Sequence, residues 1–186
     1  SKIIDNSYRD TIFAYSNQMS LLASKFQINY SKLVDKINLG YSRNFVPKPS
    51  PGVGGPCLSK DPHILDNSLT EKKINFSLVK SARIINEIMP QKICDTIYYE
   101  LKKLGKNHKN IKIFVTGLAF KGNPATSDLR NSTSIEILNI LSKKNKKNIY
   151  VHDFVLEKIG DKPANLNFIS LENGLKNSDV ILILNN

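Results

Sequence analysis

The chain has 186 residues, 40% hydrophobic and 23% charged, a composition expected of a folded globular protein with one sizeable core or two small ones. No apolar run approaches the ~20 residues that a membrane-spanning helix needs, and no signal-peptide pattern opens the chain. The only two cysteines, Cys57 and Cys94, exclude a disulfide framework and fit a reducing cytoplasm. The net charge of +11 raises the question of nucleic acid. The lysines, however, are spread along the chain among asparagines and isoleucines. The densest basic run, residues 143–147, has no interleaved aromatics and is read as a solvated loop. The positive balance equally suits an acidic small molecule such as a nucleotide diphosphate.

In chain order, residues 1–39 are expected to be helical, because Ile3, Ile4, Tyr8, Ile12, Phe13, Met19, Leu22 and Ala23 recur at helix-like intervals. Residues 27–29 interrupt the pattern, and a second helix over residues 30–39 is expected to end at Gly40. Residues 41–63 are rich in Pro, Gly and Ser and read as loop. A long amphipathic helix is expected over residues 77–104, with a kink or break at Pro90, followed by a polar hinge over residues 105–110. The period then changes. Strands are expected at residues 111–116, 149–151 and 180–184, with a short one at 168–169, and helices at 132–142 and 171–177. That alternation predicts a parallel α/β sheet.

Residues 51–61 carry the clearest chemical signal. Cys57 follows Gly52, Gly54 and Gly55 and stands ahead of Lys60 and Asp61. The glycines allow close approach of backbone to a ligand, and a thiol on such a turn has neighbouring N–H groups to stabilise an oxyanion. Lys60 can favour the thiolate, and Asp61 can orient water or hold the lysine. The blander reading makes Cys57 a small buried hydrophobe and the charged pair a solvated one. In the second half, the turn at Gly117 lies where parallel sheets bind ligands, with Lys121, Asp128 and Arg130 placed to meet phosphate or ribose. The alternative is that these charges only cap the next helix. Asp153 could hold a ribose hydroxyl or cap the element after it. There is no GxGxxG, so this half does not announce a dinucleotide site.

Four stretches together resemble the UDP-glucose/GDP-mannose dehydrogenase family: residues 2–9, 52–61, 81–90, and 117–121 with 127–132. The resemblance covers essentially the whole chain. It implies an α/β protein with an all-helical central dimerisation domain (residues 1–104) joined by the long helix to a Rossmann-like nucleotide-sugar-binding domain (residues 105–186). The family's N-terminal NAD domain is expected to be absent from this chain and its last domain truncated.

The activity implied is oxidation of the C6 alcohol of a UDP-sugar to a uronate, with two NAD molecules per turnover. Cys57 would form a thiohemiacetal and then a thioester. Lys2 and Asn6, four apart on one helix face, would donate to the C6 oxygen, Lys2 or Lys60 would favour the thiolate, and Asp61 would activate water. The resemblance further implies that Gly54, Gly55 and Arg43 meet the substrate, Arg43 across a subunit interface. Lys121 and Arg130 would contact the nucleotide sugar, or in the case of Arg130 the cofactor phosphates. The helix around Ile85 and Ile88 would form a homodimer core. The run Pro51–Gly55 with Cys57-Leu58 is similar to the UDP-N-acetylhexosamine branch, although Pro56 replaces a histidine common there and Lys60 is nearer the UDP-glucose branch. The competing readings are a UDP-glucose 6-dehydrogenase, or a nucleotide-sugar-binding and dimerisation module without catalysis of its own.

Overall fold

The structure, a computed structural model, describes residues 1–74, 77–107, 110–145 and 148–185. It divides into two compact units, Ser1–Met89 and Pro90–Asn186.

The first unit is helical. α1 (Lys2–Lys25) stops where Gln27 takes a positive φ of 58° and the Phe26 and Ile28 N–H groups turn back onto the Ala23 carbonyl. Asn29 then caps α2 (Tyr30–Asn38), its side chain accepting from the Lys32 N–H. Tyr30 and Val34 of α2 bury against Ala23, with Met19 and Val46 packed beside them. α2 ends before the expected Gly40: Leu39 is its C-cap, already extended at φ −69° and ψ 114° with its N–H returning to the Lys36 carbonyl, and Gly40 follows at φ 68°. The Asn38 side chain then recovers the outgoing loop, bonding both the N–H and the carbonyl of Val46.

The expected loop over residues 41–63 ends earlier than the composition suggests. α3 (Asp61–Glu71) starts at its Asp-Pro pair, where a proline costs no hydrogen bond and an acidic residue meets the positive end of the helix. α3 packs on α1.

α4 (Leu78–Lys103) runs through Pro90 without the expected break. Proline removes one helical hydrogen bond. Met89 on one side of it and Cys94 and Leu101 on the other are buried.

The second unit is a three-stranded parallel sheet, order β2-β1-β3, formed by β1 (Ile113–Thr116), β2 (Ile149–His152) and β3 (Val180–Ile183). Ile113 stands opposite both Ile149 and Val180. The pairing expected at residues 168–169 is a single bridge from Phe168 to Val151. α5 (Thr133–Asn145) connects β1 to β2, and α6 (Phe154–Ile159) and α7 (Leu171–Asn177) connect β2 to β3. The basic run read as a loop is partly helical: Lys143 and Lys144 form the last turn of α5, where cations suit the negative helix end. Residues 146–147 of that run, like residues 108–109 of the expected hinge, lie outside the described residues.

The core joins Ile113, Val115, Ile137, Leu141, Val151 and Leu156 to Cys94 and Leu101 of α4. α7 approaches β1 and β2 closely because Gly174 presents no side chain: a Cβ there would lie inside the Phe114 ring's contact distance. Among the described residues no helix is long and apolar enough to cross a membrane.

Candidate active site

α1 sets Lys2, Asn6 and Asp10 at intervals of four residues, hence on one face. Lys2 is exposed at the helix start, Asn6 is buried, and Asp10 is fully enclosed. The Asn6 Nδ2 donates to Asp61 Oδ2 at 2.7 Å. Two residues singled out in the sequence 55 positions apart thus meet directly.

The Cys57 carbonyl accepts from the N–H groups of Lys60 (3.1 Å) and Asp61 (2.9 Å), which makes residues 57–61 one helical turn leading into α3. A bond from residue i+4 to residue i places their side chains one above the other, so Cys57 and Asp61 share a side of that turn. Cys57 is a free, half-buried thiol, and Lys60 is exposed. Among the described residues no acceptor meets the N–H of Cys57 or Leu58. Gly55 is buried at φ 87°, a conformation that side-chain-bearing residues rarely adopt, and Gly54 is half-buried. Arg43 is exposed, its guanidinium 6.0 Å from the Tyr41 ring centre.

What holds this loop was not legible in the sequence. Arg83, on α4 and only 3% exposed, donates through Nη1 to the Leu58 carbonyl (2.9 Å) and through Nη2 to the Val53 carbonyl (2.9 Å). Nη1 also meets Asp10 Oδ1 at 2.7 Å. The Asn86 Nδ2 donates to the same Asp10 oxygen (2.8 Å) and to the Asp10 carbonyl (2.9 Å). Asn17 completes the series, donating to Asn86 Oδ1 and accepting from the Ser50 N–H at the start of the loop. Burial pushes the Asp10 carboxyl above the usual carboxylate range, against the pull of the Arg83 guanidinium. The apolar periodicity of α1 pointed elsewhere: Ile4, Tyr8 and Leu22 are exposed, and the buried face is carried by Asn6, Ser7, Asp10, Ala14, Ser16, Asn17 and Ala23.

In the second unit, Gly117 turns the chain at φ 84° after β1, and its N–H bonds the His152 carbonyl. Asp153 is committed to structure. One carboxylate oxygen accepts from Val155 and Leu156 N–H as the cap of α6, and the other accepts from Leu118 and Ala119 N–H. Four backbone donors thus meet this buried carboxylate, the capping role that was one of its two readings. Ser132 performs the capping at α5, donating to the Leu118 carbonyl and accepting from the Ser134 N–H. Asp128 and Arg130 pair with each other at 2.7 Å, Arg130 remaining 74% exposed. That hydrogen bonding pulls the Asp128 carboxyl down to about 2. Lys121 is half-buried, its ammonium 5.5 Å from the Phe120 ring centre.

The comparisons agree with this architecture. Residues 1–88 match the central domain of the UDP-glucose/GDP-mannose dehydrogenase family, and residues 114–186 match that family's UDP binding domain. The chain is 32% identical to the UDP-N-acetyl-D-mannosamine dehydrogenase of Pyrococcus horikoshii, over 98% of this chain and 40% of the relative. The solved structure of the Pyrococcus horikoshii enzyme superposes with a TM-score of 0.81 at 30% identity, again over 98% of this chain and 40% of that one. A Staphylococcus aureus UDP-N-acetyl-mannosamine dehydrogenase superposes at 0.78, with 27% identity over 100% of this chain and 40% of that one. The chain therefore spans about 40% of the length of these relatives. It belongs to the UDP-glucose/GDP-mannose dehydrogenase family.

Proposed function

We propose that this chain supplies the nucleophile-bearing and UDP-binding portions of an NAD-dependent UDP-sugar 6-dehydrogenase, acting on the C6 alcohol of a UDP-N-acetylhexosamine. The observation that carries the reading is the direct bond from Asn6 to Asp61, one helical turn from the Cys57 thiol. Two oxidations separate an alcohol from a carboxylate, and a nucleophile is needed at the aldehyde between them. Cys57 adds to that aldehyde carbon, and the oxygen on C6 gains negative charge. Lys2 and Asn6 donate to that oxygen, which is where fixed donors act most strongly. Lys60 or Lys2 stabilises the thiolate before attack.

Once the adduct has lost its second pair of electrons it is a thioester. Asp61 takes a proton from the water that attacks it, releasing the uronate and the Cys57 thiolate. Arg130, paired with Asp128 but with its side chain 74% exposed, is the residue assigned to a cofactor phosphate. NAD, when bound, would supply the hydride acceptor for both oxidations, two molecules per turnover.

Gly54 and Gly55 let the sugar approach the loop. Lys121 and Arg130 serve the nucleotide, and Arg43 reaches the substrate from a second subunit. The homodimer uses the α4 face that bears Ile88, 40% exposed, with half-buried Ile85 beside it. Two thiols free of any disulfide favour a cytoplasmic setting. The sugar is read from the relatives, whose names specify UDP-N-acetyl-D-mannosamine. The test is Cys57→Ser in the intact enzyme. Uronate formation should stop while UDP-sugar affinity stays within about twofold; uronate production at the unmodified rate would remove Cys57 from the chemistry.

A further inference from the structure

A loop that presents a nucleophile must be fixed more tightly than its own sequence fixes it. Residues 51–56 contain three glycines and two prolines and form no regular element before the turn at Cys57. Glycine raises the number of conformations available, so something outside the loop must select one.

We propose that Arg83 is the positioning residue for Cys57, a buried guanidinium staple that closes the loop by binding the carbonyls on either side of the thiol. This rests on the reading of Cys57 as the nucleophile. Val53 lies four residues before Cys57 and Leu58 one residue after it, and both carbonyls accept from Arg83 at 2.9 Å. Asp10 fixes the guanidinium from the side of α1, and Asn86 fixes Asp10 in turn. The Nε edge faces Glu87 Oε1 at 3.1 Å, an ion pair without hydrogen-bond geometry. Glu87 also meets His63 Nε2 on α3 at 3.1 Å.

The arrangement needs arginine specifically. Its planar fork carries five donors in fixed directions, and three different acceptors here use two of its nitrogens at once. A lysine ammonium retains the charge but cannot span both carbonyls and the carboxylate. Arg83 therefore acts on the chemistry through backbone geometry rather than by touching substrate.

The experiment is alkylation of Cys57 by iodoacetamide in this chain, located by peptide mass spectrometry and followed across sub-denaturing urea. Cys94 does not compete, being fully buried with its thiol pushed up to about 11. In Arg83→Lys, the urea-independent alkylation rate should rise at least fivefold, because the released loop exposes the thiol without global unfolding. A merely structural role would shift the unfolding transition and leave the urea-independent rate unchanged; a folded Arg83→Lys chain alkylated within twofold of the original overturns the proposal.

Should that variant not fold, the unmodified chain still decides. A guanidinium held on three acceptors rotates slowly, so Arg83 should give separate, slowly exchanging Nη–H signals in nitrogen-15 NMR. A single averaged signal would overturn the staple. Neither readout involves turnover, so a failure here is distinguishable from failure of the dehydrogenase reading.

Discussion

Asp10→Ala removes the carboxylate that the buried network of the first unit is built around. The pair it breaks is enclosed on both sides, with the Asp10 side chain fully buried and that of Arg83 4% exposed. Deleting one partner of a buried ion pair costs about 3–5 kcal/mol, because the remaining charge is left without compensation. The lower end applies here. Among the described residues Asp10 Oδ2 has no partner, and burial already raises the carboxyl above its ordinary range, so the pair is imperfect before the mutation. Arg83 also keeps its two carbonyl acceptors after Asp10 is gone.

A loss of about 3 kcal/mol corresponds to roughly a 150-fold drop in protection against hydrogen exchange. Exchange is the suitable assay, because a chain of two units has no single well-defined unfolding free energy. Peptides covering residues 2–25 should lose protection by that factor, while peptides covering β1 and β2 stay unchanged. A drop of less than about fivefold in α1 would refute the reasoning, since it would mean water or rearrangement compensates Arg83 freely. Restoring packing with the pair Asp10→Leu and Arg83→Met should recover much of the stability. It should not recover the slow alkylation of Cys57.

Gly174→Ala should destabilise the second unit by about 1–3 kcal/mol, since its Cβ would meet the fully buried Phe114 ring; exchange at β1 amides unchanged by the substitution would contradict the packing. Asp128, held down by Arg130, should titrate in carbon-13 NMR with a midpoint near 2. A depressed folded-state value means its pairing contributes above the ordinary carboxylate pKa of about 3.9 and is lost as pH falls through about 2. Arg130→Ala should return the midpoint towards 3.9, and a midpoint near 4 in the unmodified chain would show the pair does not form in solution.

The second unit was the more legible half, because strand and helix periods alternate along it and each strand is a short apolar run bounded by polar residues. Gly117 and Ser132 mark their own turns. α6 left little trace: six residues cannot display a periodicity, and its start signal, Asp153, read equally as a ligand contact. α3 was hidden by the Pro/Gly-rich context before it, although its Asp-Pro opening is a start signal.

At the site, Cys57 and its glycines are local features and could be read directly. Asn6 and Asp61 could be paired only through the family resemblance, since 55 residues separate them. Arg83 falls within the resembling stretch 81–90, but the resemblance gave it no role. Its partners lie 73, 30 and 25 residues distant, and the reason for a buried arginine at that place appears only once the loop is folded against it.

The central claim is that this chain binds a nucleotide sugar and carries the nucleophile that acts on it. Calorimetric titration with UDP, UDP-glucose, UDP-N-acetylglucosamine and NAD tests it most directly. The account predicts one-to-one binding of the UDP compounds that Cys57→Ser leaves within about twofold, with NAD far weaker. Heat from NAD alone, or no binding of any UDP compound by the folded chain, would contradict it.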